Sequence, residues 1–127
     1  EFNETTFGLV EPIWQQCKTL AARLSGEAPV PFTLAPIATK LKVSGVQLFS
    51  AGEYITQPHH RELVMSDPAS RIYRKLLIAD NNIVGILLFG DTRDGNYYFD
   101  LMQSHTNVSA LMPKLIFGEY YCAGAAA

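Results

Sequence analysis

The chain has 127 residues, 48% of them hydrophobic and 17% charged, with a formal net charge of −2. That length supports one compact core, and the near-neutral charge, with Lys and Arg scattered along the chain, excludes a phosphate-backbone reader. Two cysteines, Cys17 and Cys122, are too few for a disulfide framework.

No basic start followed by an apolar run marks a signal peptide, and no stretch reaches the roughly 20 apolar residues of a membrane span. A reducing, cytoplasmic setting is the expectation. The chain opens Glu1-Phe2-Asn3 without an initiator Met and reads as a piece of something longer.

Val10, Ile13, Trp14, Cys17, Leu20, Ala21 and Leu24 recur at steps of three and four, which predicts an amphipathic helix from about Val10 to Ser25. Pro12 suits its first turn and Gly26 its stop. Cys17 falls on the apolar stripe and is expected to be buried as a small hydrophobe, whereas Cys122 lies near the chain end and is expected to be exposed. Pro29, Pro31 and Pro36 then mark a linker over residues 28–37. The predicted organisation is a terminal helix (1–27), the linker (28–37) and an α+β unit (38–127).

After the linker the period changes to two. Lys40 to Val43 and Val46 to Phe49 read as strands bent at Ser44-Gly45, followed by a loop at Ser50 to Glu53. Glu62 to Ser66 is a third strand, ended by Asp67-Pro68. Arg71 to Ala79 and Ile83 to Phe89 flank Asp80-Asn81-Asn82 as a hairpin. The Ile83 strand is apolar nearly throughout, as for a central strand covered on both faces. Helices are predicted over Asn96 to Gln103 and from about Pro113 to Tyr120. The fold class is α+β: an antiparallel sheet of about four or five strands, then two helices, with one helix ahead of it.

Chemistry-bearing patterns are sparse. The chain has no Gly-x-Gly-x-x-Gly, no Walker-type loop and no Cys/His cluster with metal-ligand spacing. His59 and His60 are adjacent, so on an extended segment they point apart, and they read as solvated loop. Ser50 does not satisfy Gly-x-Ser-x-Gly and reads as a turn serine. Asp91 and Asp94 could pair as acid and base, but their polar loop favours turn and capping roles. Tyr97, Tyr98 and Phe99 read as helix packing. No nucleophile–base–orienter spacing supports a free-standing enzyme, so no catalytic residue and no metal site is assigned.

Three blocks carry a resemblance. Thr39-Lys40-Leu41-Lys42-Val43-Ser44-Gly45-Val46-Gln47-Leu48-Phe49-Ser50-Ala51-Gly52-Glu53, Ile72-Tyr73-Arg74-Lys75-Leu76 and Val84 to Thr92 are similar to the region after the flavin domain in nitrite reductase large subunits, nitrate reductase electron-transfer subunits and rubredoxin reductase-like flavoproteins. Gly8 to Pro12 and Gln16 resemble the last helix of that flavin domain. Glu53 departs from the family's usual aspartate but keeps the charge.

The resemblance implies a C-terminal accessory domain of an FAD-dependent NAD(P)H oxidoreductase in nitrite or nitrate assimilation, non-catalytic by itself. FAD and NAD(P)H would belong to the parent, and an iron–sulfur cluster to a following domain. The implied partners are the upstream FAD/NAD domain, a redox partner domain or subunit, and a homodimer. By carry-over, the backbone at Val10 and Glu11 would face the flavin, where a helix N-terminus stabilises negative charge. A second reading makes the chain a dimerisation or partner-docking module of a rubredoxin reductase-like flavoprotein.

Overall fold

The computed structural model describes residues 10–28 and 36–123, with side chains from residue 13 on. The chain divides into two compact units, Glu1–Ile37 and Ala38–Ala127. Most of the proline-rich stretch, residues 29–35, lies outside the described residues.

In the first unit, helix α1 spans Val10–Leu24, matching the predicted periodicity. Gly26 takes φ 79°, and the Glu27 N–H reaches back to the Ala22 carbonyl at 3.0 Å. This left-handed turn satisfies carbonyls that the helix end leaves open. The apolar stripe stands in the open, with Ile13 50% and Trp14 61% exposed. Cys17 is exposed with it, while Cys122 is buried, so both cysteine expectations are reversed. Stripe position buries a thiol only where another surface covers the stripe.

The second unit is a five-stranded sheet: β1 (Thr39–Val43), β2 (Val46–Gly52), β3 (Arg61–Asp67), β4 (Ile72–Ala79) and β5 (Asn82–Phe89). The order is β1-β2-β5-β4-β3, and each neighbouring pair is antiparallel. Asp80 and Asn81 both take positive φ (48° and 62°), which gives the predicted hairpin a tight turn whose twist matches its strands. Ser44 and Gly45 do the same (50° and 80°), so the expected bend is instead a second two-residue hairpin, with Val43 opposite Val46. The expected loop at Ser50 to Gly52 is strand, because these residues continue the pairing with Leu87, Ile86 and Gly85.

Among the described residues three helices follow: α2 (Gly95–Gln103), α3 (Met112–Leu115) and α4 (Glu119–Ala123). The single predicted helix over Pro113 to Tyr120 is broken at Gly118, whose φ of 105° no helix accommodates. Phe49, Ala51, Leu76, Ile78, Ile86 and Leu88 on the sheet pack with Tyr98, Met102, Val108, Leu115 and Cys122 into one core.

That core lies on one face of the sheet. The other face carries Leu41, Val43, Val46, Val64 and Phe89, all 36% or more exposed. β5 is central as predicted, yet Val84 and Leu87 are only half-buried. On its second face the backbone at Glu53 packs against Gly85 beside Leu77, which is fully buried, while the Leu87 and Phe89 end stays more open among the described residues.

Candidate functional site

Alternation along β4 puts Arg74 on the same face as Leu76 and Ile78, which turns a guanidinium into the core. Arg74 is 4% exposed, and a buried charge demands partners. The loop between β5 and α2 supplies them. Arg74 Nη2 lies 2.9 Å from Asp91 Oδ2, and Nη1 lies 2.8 Å from Asp94 Oδ2. Nη1 also approaches the Ile116 carbonyl at 3.5 Å, while the Nε–H has no partner among the described residues.

The same carboxylates are bound from the outside. Arg93 forks onto Asp91, Nε to Oδ1 at 2.9 Å and Nη2 to Oδ2 at 2.7 Å. Asp94 sits at the N-cap of α2 but makes no side-chain cap there. Its Oδ1 instead accepts the Glu119 N–H that opens α4, at 3.1 Å. The expected capping role therefore goes to a different helix, because the pull of Arg74 turns the carboxylate under the sheet's end. Tyr98, fully buried, donates its hydroxyl hydrogen to the Leu115 carbonyl at 2.7 Å.

The electrostatics follow from these contacts. Hydrogen bonds from Arg93, reinforced by Arg74, hold the Asp91 carboxyl well below the usual carboxylate range. Burial works against the charge on Arg74, but Tyr98, Asp94 and Asp91 outweigh it and its pKa rises. Burial raises the Tyr98 phenol above its ordinary value, so it stays a donor. Asp91 and Asp94 are thus committed as counter-ions, an arrangement that locks β4, the β5–α2 loop and the α3–α4 turn together. It positions elements. A lone arginine in an otherwise apolar strand phase is the signal that sequence reading passed over.

The loop between β2 and β3 holds His59 and His60. The side chain of His60 is fully buried, contrary to the solvated reading, because the loop folds back on it: the Gln57 N–H donates to His60 Nδ1 at 3.2 Å, and the His60 N–H to the Gln57 carbonyl at 2.9 Å. His60 Nε2 lies 3.5 Å from Glu53 Oε2 without forming a hydrogen bond. The loop is pinned by Lys75, which meets Thr56 Oγ1 at 2.9 Å and Glu62 Oε1 at 3.0 Å. Ser50, read as a turn residue, is a half-buried strand residue between Thr39 and Leu87. Tyr98 is buried, and Tyr97 and Phe99 pack partly against the core, as the helix-packing reading expected.

Val10 and Glu11 open α1. The first N–H groups of a helix have no intrahelical acceptor, and Pro12 contributes none. The side chains at positions 10–12 lie outside the described residues. Among the described residues no group of three or more His, Cys, Asp or Glu is arranged to hold a metal ion. No described helix is long and apolar enough to cross a membrane.

Comparison with known proteins places this geometry. Residues 38–106 match the family model of the rubredoxin NAD+ reductase C-terminal domain, which covers the sheet and α2. The chain is 36% identical over 109 residues to the NAD(P)H nitrite reductase of Bacillus subtilis (strain 168), which takes in 86% of the chain and 14% of that protein. It is 29% identical over 119 residues to the assimilatory nitrate reductase electron transfer subunit of the same organism, covering 94% of the chain and 15% of the relative. It is 30% identical over 113 residues to the NADH nitrite reductase large subunit of Escherichia coli (strain K12), covering 87% and 13%. The chain therefore spans about one seventh of the length of the curated relatives it matches. The expected resemblance holds across the sheet and its first covering helix: the chain belongs to the rubredoxin NAD+ reductase C-terminal domain family.

Proposed function

We propose that the chain is the C-terminal accessory domain of an FAD-dependent NAD(P)H oxidoreductase serving nitrite or nitrate assimilation in the cytoplasm, and that it performs no redox chemistry by itself. The observation that carries this reading is the fate of its charged core residues. Asp91 and Asp94, the best-placed acid–base candidates, are consumed as counter-ions of a buried arginine. Residues 1–27 would be the terminal helix of an upstream flavin domain, residues 28–37 a linker, and the rest the accessory unit.

The residues present fit a flavin as one wall at most. The start of α1 at Val10 and Glu11 offers main-chain N–H groups of the kind that stabilise a reduced, negatively charged isoalloxazine edge. The chain has no glycine-rich phosphate loop to hold the rest of a dinucleotide. In the parent, the flavin would pass electrons from NAD(P)H to an iron–sulfur or haem acceptor. This unit would cap the flavin module or seat it against its redox partner.

The second reading, a dimerisation or partner-docking module, draws on the exposed apolar sheet residues Leu41, Val43, Val46 and Val64, since exposed apolar patches commonly find a partner surface. The stripe of Ile13, Trp14 and Leu20 would seek one under either reading. Light scattering on chains with and without residues 1–27 separates the two: dimers that persist without the helix would favour the second reading. The first is tested by incubating the chain with excess FAD, desalting, and recording the visible spectrum and NADH–ferricyanide turnover. A colourless, inactive protein is expected. Retained flavin with turnover would overturn the accessory role.

A further inference from the structure

β1 ends the β1-β2-β5-β4-β3 order, so among the described residues one of its backbone edges has no strand beside it. The register settles which groups face outward. Gln47 turns its carbonyl toward β5, where it accepts the Gly90 N–H at 2.9 Å. Lys42, opposite Gln47, therefore belongs to a pair that exchanges no ladder hydrogen bonds, and its N–H and C=O point to the free edge. Lys40 follows by the same alternation.

Side chains along this edge divide by chemistry. Lys40 and Lys42 lie on the helix-covered side. Lys40 Nζ sits 5.7 Å from the centre of the Phe49 ring and donates to Asn96 Oδ1 at 2.9 Å. Lys42 is exposed. Leu41 and Val43 lie on the other side, 51% and 65% exposed. A cleft of about 350 Å³ follows the lysine side, with Thr92 and Asn96 on its far wall.

We propose that this edge docks an extended segment of a partner protein that carries acidic residues on one side and apolar residues on the other, added to the sheet as a further strand. Charge selects the occupant. Antiparallel pairing with a second copy, centred on Leu41, would set Lys40 against Lys42 of the copy twice over. Like charges directly opposite are destabilising, and edge lysines are a recognised device against self-pairing. Carboxylates at the same cross-strand positions turn that repulsion into attraction, while apolar residues between them cover Leu41 and Val43. With five residues in the strand, the contact is short and exchangeable, as transient docking requires.

The test is nuclear magnetic resonance on the isotope-labelled full chain, titrated with a blocked Val-Glu-Val-Glu-Val peptide and with its Val-Lys-Val-Lys-Val counterpart. The Glu peptide is expected to shift the Lys40 and Lys42 amides and slow their exchange, with binding that weakens in salt, and the Lys peptide is expected to leave them unchanged. Lys40→Glu with Lys42→Glu should weaken the Glu peptide about tenfold and admit the Lys peptide. Because Lys40 also holds Asn96, Lys42→Glu alone provides a second variant with the same direction of change. The proposal is overturned if the Glu peptide leaves β1 unperturbed at millimolar concentration, or if both peptides bind alike. Shifts confined to other strands would overturn it too, as would protection of the β1 edge by self-association alone.

Discussion

Arg74 concentrates the electrostatic cost of this fold in one side chain. It is 5% exposed at the side chain and faces two carboxylates that are themselves 15% and 19% exposed. Removing one member of such a buried set leaves uncompensated charge, which is typically more damaging than the net worth of the pair. Arg74→Ala is therefore expected to cost about 3 kcal/mol at neutral pH. Arg93, 87% exposed, contributes far less despite its short contact, because water screens it. Asp91 ties this cluster to pH. Its folded pKa is depressed below the ordinary value of 3.8, so its stabilising contribution is complete above that value and is lost as pH falls toward the folded pKa. Urea midpoints measured from neutral pH down through the carboxylate range should fall steeply for the native chain and less steeply for Asp91→Asn. A parallel fall in the two would remove Asp91 from the cluster's energetics.

Elements were legible where a local rule decides them. The stripe from Val10 to Leu24, the alternation of the strands and the Asp80-Asn81 turn each announce themselves in sequence, because helix periodicity and turn chemistry are short-range. Ser44-Gly45 misleads because serine rarely takes positive φ, so a tight hairpin reads as a bend. The end of β2 misleads for a related reason: Gly52 looks like loop, yet its bare α-carbon lets the backbone pass close against Val84, and a Cβ there would collide with the Val84 carbonyl. The Arg74 cluster was not legible, since Asp91 lies 17 residues from its partner in sequence and only the β4–β5 pairing brings them together. His60 is buried for the same kind of reason, through a loop that folds onto its ring.

Gly118 makes an element-scale claim testable. At φ 105° it breaks one predicted helix into α3 and α4, and a Cβ would run into the Asp94 carboxylate that caps α4. Gly118→Ala is expected to destabilise the chain by about 2 kcal/mol, combining left-handed strain with loss of that contact. Calorimetric melting of the variant checks this. An unchanged melting temperature would mean that the α3–α4 break is not held by Asp94.

At the scale of the whole molecule, the sheet is closed on one face by α2, α3 and α4 and carries exposed apolar residues on the other. α1 likewise exposes its stripe. A chain that spans about one seventh of its relatives' length and presents such surfaces suits a part that works against other parts. The most direct test replaces the aligned segment of the Bacillus subtilis nitrite reductase with this chain and measures NAD(P)H-driven nitrite reduction beside a variant that lacks the segment. An accessory role requires the replacement to sustain nitrite reduction where the deletion loses it. A deletion variant as active as the intact enzyme, or a folded, flavin-loaded replacement without turnover, would contradict it.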